Sequence, residues 1–288
     1  MLLSLLASVV VSQSSISPGI NSRQIEVDGV TRTYLLYVPK SYQARKSTPM
    51  LVMLHGYTGN ARVQIPYTGL DRVAEKEGFL ALIPDGQGMP RGWNVGFLAL
   101  TGRQDDAKFV LAALDSSEKE LNVDKRRVYV AGHSNGGMMA NYLGSIATDR
   151  FAALGSVAGT IGTEGRAGTN IPLPKGRISA ILIHGVKDAT VPYDAAASRM
   201  GWQSVSAPKA AQWWAKQNEL GETPRTEIRD DQVKAETWSR RGRREQVVLL
   251  SLPEQGHDYL RAKRQADGSF SGFDTTTELW NFFKSKRR

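Results

Sequence analysis

Gly132-His133-Ser134-Asn135-Gly136 sets a serine between two glycines in the pattern Gly-x-Ser-x-Gly. A hydroxyl in that setting can attack a carbonyl carbon if a base removes its proton and an acid holds the base in one tautomer. The apolar, β-rich run Arg127-Val128-Tyr129-Val130-Ala131 precedes it and predicts a buried strand, and the stretch Gly137 to Leu143 can turn into a helix. A sharp strand-to-helix bend exposes the serine oxygen at the sheet edge and aims the helix N-terminus at it. Side chains in place of the two glycines would clash in so tight a bend.

Four histidines could supply the base: His55, His133, His184 and His257. His133 lies inside the bend and cannot readily turn back onto Ser134. His55 and His184 each end an apolar strand and precede glycine, so they read first as packing or loop-fixing residues near the site. His55 also enters the set of residues that could meet substrate. His257 follows the strand Val247 to Leu252 in the loop Glu254-Gln255-Gly256-His257-Asp258, the place of the base in a fold of this kind; the plainer reading is an exposed loop histidine. For the acid, the strand Ala180 to Ile183 runs into a loop that carries Asp188. Asp194 competes, but its position past Val191-Pro192 reads as the N-cap of the next helix. The order Ser134, Asp188, His257 is that of the α/β-hydrolase fold.

An oxyanion formed at the carbonyl needs backbone N–H donors, each worth roughly 10²–10³ in rate. Asn135, directly after the serine, should give one. The apolar run Met50 to Leu54 leads into His55-Gly56-Tyr57-Thr58-Gly59-Asn60, and the Tyr57 N–H is the expected second donor, with Thr58 as the fallback.

The elements that must position these residues follow from the patterning. Gln24 to Val27, an Asp28-Gly29 turn and Arg32 to Pro39 predict a hairpin. Leu70 to Glu77 reads as a helix ended by Gly78, and Phe79 to Ile83 as a strand. Asp105-Asp106 lead a helix to about Leu121, with acids at its positive end. A strand-like stretch at Phe151 to Ala158, a helix carrying Trp213-Trp214 and a last helix from Thr276 to Phe283 complete the chain. The alternation predicts an α/β fold with a mostly parallel sheet and helices on both faces.

Composition agrees. Of 288 residues 41% are hydrophobic and 23% charged, proportions ordinary for a folded domain. Without a low-complexity linker or internal repeat, residues 19–288 are expected to form a single catalytic domain. The absence of cysteine excludes disulfides and thiolate metal sites. No Walker loop, dinucleotide fingerprint, His-Glu-x-x-His cluster or nucleic-acid module occurs, so no cofactor, metal or nucleic-acid partner is expected. Met1 to Val11 is apolar but too short to span a bilayer, which takes roughly 20 residues. It resembles the apolar part of an export signal, although no Lys or Arg precedes Arg23. Residues 1–18 are therefore expected to be a signal or apolar leader, and the protein secreted, periplasmic or in the cell envelope. The net charge of +9 includes Arg240, Arg241, Arg243 and Arg244 around Gly242. These read first as a solvated hairpin tip, and alternatively as a site for acidic polysaccharide, anionic lipid or nucleic acid.

The ordered motifs resemble the polyhydroxybutyrate depolymerase and feruloyl esterase group of α/β-hydrolases, akin to carbohydrate esterase family 1 and to esterases that deacylate xylan. They include Val27-Asp28-Gly29 with Tyr34-Leu35-Leu36-Tyr37-Val38-Pro39, then Leu54-His55-Gly56, Pro84-Asp85-Gly86, Gly92-Trp93-Asn94 and Asp105-Asp106. Val123-Asp124, Arg127 to Val130, Gly132 to Met139, His184-Gly185, Asp188, Val191-Pro192-Tyr193 and Gly256-His257 extend the likeness over roughly residues 24–283. The resemblance implies hydrolysis of a carboxylic ester, such as a hydroxyalkanoate, feruloyl or acetyl ester of a polysaccharide, through an acyl-enzyme on Ser134. Cysteines frequent in that group are missing here. The group's Trp-Pro-Gly after the base is replaced by Asp258-Tyr259-Leu260, expected to alter the site's rim. Trp93 and Asn94 could line an acyl pocket or be structural. Trp213 and Trp214 sit at helical spacing and read as core and rim. Residues 86–104 and 160–177 are loop-rich candidates for the pocket rim. Two alternatives stand beside the esterase reading: a peptidase or other acyl hydrolase on the same three residues, and a non-catalytic polyanion-binding protein.

Overall fold

The computed structural model describes residues 16–95, 105–163, 171–195, 203–229 and 232–288. The apolar leader expected at 1–18 therefore lies almost wholly outside the described residues. So do parts of both rim candidates, at 96–104 and 164–170.

The chain opens with the expected hairpin, β1 (Gly19–Val27) and β2 (Val30–Val38), paired antiparallel from Gly19↔Val38 to Val27↔Val30. Asp28 and Gly29 both take positive φ, 51° and 75°, the two-residue turn whose twist matches a hairpin. Then come β3 (Thr48–Leu54), α1 (Ala61–Thr68), α2 (Leu70–Glu77), β4 (Leu80–Pro84), α3 (Asp106–Glu120) and β5 (Val123–His133). After them follow α4 (Asn135–Ile146), β6 (Ala153–Val157), β7 (Ser179–Gly185) and α5 (Ala207–Gln217). The chain continues with β8 (Arg225–Ile228), β9 (Lys234–Trp238), β10 (Val247–Leu252), the short pair β11 (Lys263–Arg264) and β12 (Phe270–Ser271), and α6 (Thr275–Phe283).

Ten strands form one sheet in the order β1-β2-β4-β3-β5-β6-β7-β10-β9-β8. The six central strands from β4 to β10 run parallel, and antiparallel strands extend the sheet at both edges. Every residue of β3 and β7 is buried, as continuous apolar strands must be when helices cover both faces. Alternation along the strands splits the core in two. Leu36, Val52, Val130 and Leu182 face α3, α4 and α5, where Phe109, Met139 and Trp214 are fully buried. Tyr37, Met53, Tyr129 and Ile183 face α1, α2 and α6, where Phe79, Trp280 and Phe283 pack.

One detail departs from expectation and two go beyond it. α1, capped by the Asn60 side chain on the Val63 N–H, carries little sequence signal because Pro66 interrupts its pattern. The next described helix after Asp188 is capped by Ser206, not Asp194. And the Arg240–Arg244 cluster does connect β9 to β10, but Arg243 pairs with Glu219 and Arg240 donates to the Glu219 carbonyl, so the tip is partly tied down.

Candidate active site

The C-terminal ends of β5, β7 and β10 converge, and each delivers one residue of the predicted set. Ser134 sits between β5 and α4 with φ 56° and ψ −122°, a conformation that costs an ordinary residue strain and persists only when its surroundings enforce it. The enforcement is visible. A Cβ on Gly132 would lie 2.3 Å from the Gly136 backbone, and one on Gly136 would lie 2.4 Å from the Leu54 carbonyl oxygen. The Ser134 N–H donates to the Val157 carbonyl at 2.8 Å, anchoring the bend to β6.

His257 Nε2 is 2.8 Å from Ser134 Oγ, and His257 Nδ1 is 2.7 Å from Asp188 Oδ2. Asp188 Oδ1 accepts the N–H groups of Thr190 and Val191 at 2.8 and 2.9 Å. His184 Nε2 donates to the Val191 carbonyl at 2.8 Å and lies 3.3 Å from Asp188 Oδ2. Burial pushes the Asp188 carboxyl up, but bonds from His184, His257 and the Val191 N–H outweigh burial and hold it well below the usual carboxylate range. It is therefore an anion facing the imidazole. The arrangement can remove the Ser134 proton and steady the imidazolium that results.

His133 has a part that sequence reasoning missed. Its Nε2–H donates to the backbone carbonyl of His257 at 2.7 Å, tying the elbow to the loop of the base. Burial, and next the nearby His257, lower its pKa to about 4, so the ring is neutral near pH 7. The same loop is held elsewhere: the Tyr259 N–H donates to Tyr67 Oη at 3.2 Å, and the Thr275 N–H to the Leu260 carbonyl at 3.1 Å. The exit of β7 presses against it too, since a Cβ on Gly185 would lie 2.2 Å from the Gly256 carbonyl oxygen.

The N–H of Asn135, in the first turn of α4, has no acceptor within its helix and opens beside Ser134. In the loop after β3, the Thr58 N–H is taken by the Arg91 carbonyl at 2.7 Å and the Gly59 N–H by the Gly56 carbonyl at 3.0 Å. Thr58 is thus unsuited as a donor to substrate, and the Tyr57 N–H, with no partner among the described residues, is left for that part.

The Esterase family model, described as "Putative esterase", matches residues 28–271. The chain belongs to this esterase family. A relative named "Putative esterase NocK", from Nocardia uniformis subsp. tsuyamanensis, is 32% identical over 178 residues, 60% of this chain and 50% of that one. "Probable feruloyl esterase C" of Aspergillus oryzae is 28% identical over 204 residues, 67% of this chain and 69% of that one. The chain thus spans half the length of the first of these relatives. Among solved structures, acetyl xylan esterase from Aspergillus awamori superposes with a TM-score of 0.66 at 16% identity, over 92% of this chain and 99% of that one. That likeness speaks for the α/β-hydrolase fold.

Within this esterase-family fold, the residues expected to meet substrate divide. His55 is fully buried: Nδ1–H donates to the Gly56 carbonyl at 2.8 Å, and Nε2 accepts the Gly86 N–H at 2.9 Å. That acceptance makes Nε2 the bare nitrogen, so the Asp85 carboxylate 3.8 Å away is not an ion-pair partner. Burial lowers the His55 pKa and keeps the ring neutral. Trp93 is fully buried as well, with Nε1–H donating to the His55 carbonyl at 2.8 Å. Its backbone is clamped by the Asn135 side chain, which accepts the Trp93 N–H at 2.7 Å and donates to the Trp93 carbonyl at 3.1 Å. His55 and Trp93 are therefore struts of the loops, not pocket walls. The Asn94 N–H donates to Asp106 Oδ2 at 2.9 Å. Asp106, read from sequence as a helix-end acid, is buried against Arg32 at 2.7 Å, while Asp105 is the cap of α3. Tyr259 also departs from expectation: it is buried against the His133 ring, with its hydroxyl 2.7 Å from Thr276 Oγ1, while Asp258 is exposed and Leu260 half-buried. Trp214 is core, bonded through Nε1 to Asn141 Oδ1, and Trp213 is partly buried beside it. Among the described residues no cluster of metal-binding side chains occurs, and no helix is long and apolar enough to cross a membrane.

Proposed function

We propose that the protein is a serine carboxylic-ester hydrolase in which Ser134 is the nucleophile, His257 the general base and acid, and Asp188 the residue that orients His257. The observation that carries this reading is the unbroken chain Asp188–His257–Ser134, with contacts of 2.7 and 2.8 Å ending on a serine in a strained elbow. As Ser134 Oγ attacks the ester carbonyl carbon, its proton passes to His257 Nε2. The carbonyl oxygen, now negative, is received by the N–H groups of Asn135 and Tyr57. The tetrahedral centre collapses, the C–O bond to the alcohol breaks, and His257 returns the proton to the leaving oxygen. Water then gives a proton to His257 and attacks the acyl-enzyme, releasing the acid and restoring Ser134.

The names of the relatives support acetyl or feruloyl esters of polysaccharides as substrates, with 3-hydroxyalkanoate esters as the third class that the sequence motifs favour. Export of the chain rests on the apolar stretch at its start. The test compares the purified protein with Ser134→Ala on nitrophenyl acetate, methyl ferulate, acetylated xylan and a 3-hydroxybutyrate oligomer. Loss of the nucleophile should cut kcat by a factor on the order of 10⁶. Near-normal turnover by Ser134→Ala would refute the assignment, and the preferred ester names the substrate class.

A further inference from the structure

At the pole of the sheet away from Ser134 lies a second concavity, of about 560 Å³, between the N-terminal ends of β6, β7 and β10 and the chain after α6. Ser179, the first residue of β7, lines it, whereas Asp188 follows the other end of that strand. At about 3.3 Å per residue, the seven residues of β7 alone hold the two places roughly 20 Å apart. The concavity is therefore separate from the candidate active site.

Its wall is strongly basic. Arg177, Arg244, Lys286, Arg287 and Arg288 line it, with Glu245 the acid among the lining residues. These cations are incompletely neutralised. Arg177 pairs with Glu219 at 2.6 Å, but Glu219 also serves Arg243. Arg288 donates to the Lys125 carbonyl at 2.6 Å, a neutral acceptor. Arg244 is exposed and has no ion-pair or hydrogen-bond partner among the described residues. Lys286 is the most telling. Its ammonium is partly buried, donates to Gln246 Oε1 at 2.6 Å and lies 4.8 Å from the centre of the Phe282 ring, yet no carboxylate among the described residues pairs with it. Burial lowers its pKa. The floor is apolar, built from Phe151, Ala152 and Ile178, so charge in the concavity is less screened than on open surface. A volume in the range of ligand pockets, several convergent cations and one partly desolvated ammonium together suit a compact ligand with more than one negative oxygen group.

We propose that this concavity is a binding site for a multivalent oxyanion, with Lys286 and Arg244 as its principal contacts. The site is independent of the ester-hydrolase reading. The shared chemistry is closely spaced phosphate or carboxylate groups, either on a free small molecule or on a short stretch of acidic polysaccharide.

The test is isothermal titration calorimetry of the whole protein with sodium tripolyphosphate and, separately, with trigalacturonate, at low and at moderate salt. The expected result is saturable one-to-one binding of at least one probe that weakens with salt and falls roughly tenfold or more in Lys286→Gln and in Arg244→Ala. Lys76→Ala, on α2, removes the same charge elsewhere and should leave affinity unchanged. Arg244→Ala guards against misfolding, because that side chain is exposed and unpartnered. Tripolyphosphate binding alone points to a free phosphorylated ligand, and trigalacturonate binding to a polymer tether. Absence of saturable binding by either probe, or equal weakening by Lys76→Ala, overturns the proposal.

Discussion

His133 should make the protein acid-labile through one identifiable group. Burial and the neighbouring His257 set its pKa at about 4 in the folded protein, against 6.5 in an open chain. Above 6.5 the ring is neutral in both states and stability is complete. As pH falls from 6.5 towards 4, the unfolded chain binds a proton at this position that the folded protein refuses, so stability drops and the loss levels off below 4. That gap corresponds to on the order of 3 kcal/mol, most of it already expressed at pH 4.5. His133→Gln retains an N–H donor for the His257 carbonyl but cannot titrate. Urea unfolding of both proteins at pH 7.5 and pH 4.5 separates this group from the rest, because His55 and the carboxylates act equally in both. The wild type should lose about 2–3 kcal/mol more than the variant between the two pH values. Parallel losses would show that His133 is not held neutral by its burial, and the reasoning would fail.

Asp188→Asn should leave the fold in place but lower kcat on nitrophenyl acetate by a factor on the order of 10⁴, because the amide cannot hold His257 in the required tautomer; a loss under tenfold would remove Asp188 from its role. Gly136→Ala drives a methyl group to 2.4 Å from the Leu54 carbonyl, so its thermal midpoint should fall by many degrees or soluble protein be lost, and a midpoint within a degree or two of wild type contradicts the packing of the elbow. Arg32→Met leaves Asp106 buried without its partner and should cost about 3–5 kcal/mol in urea, whereas Arg32→Met with Asp106→Leu should recover much of it. If the double variant is no better than the single, the Asn94 N–H bond to Asp106 matters more than the ion pair. Asn135→Ala removes both bonds that clamp Trp93 and should destabilise by about 2–4 kcal/mol, measured the same way.

The order Ser134, Asp188, His257 was legible because each residue sits just past an apolar strand, and such runs mark themselves by continuous burial. The hairpin at Asp28-Gly29, the bend at Gly132 and Gly136 and the helix led by Asp105 were equally readable, since their causes are local: positive φ, close backbone approach, and a side chain that caps the N–H groups just ahead of it. Partners distant in sequence were not. Nothing local tells that His133 will reach the carbonyl of His257, 124 residues on, or that Asp106 will meet Arg32, 74 residues back. For His55 and Trp93 the sequence left open a place against substrate or a structural role, and the fold decided for the latter, burying both where they bond to loops; Tyr259, expected at the rim, is buried too. The choice between Tyr57 and Thr58 likewise needed the Arg91 carbonyl, which claims the Thr58 N–H. The sequence by itself determined which candidate groups stand at which strand ends, because strand pattern and turn chemistry are short-range. Which neighbours hold those groups in place, and which polar side chains are buried to do so, is decided by contacts that exist only once the sheet has brought its strands together.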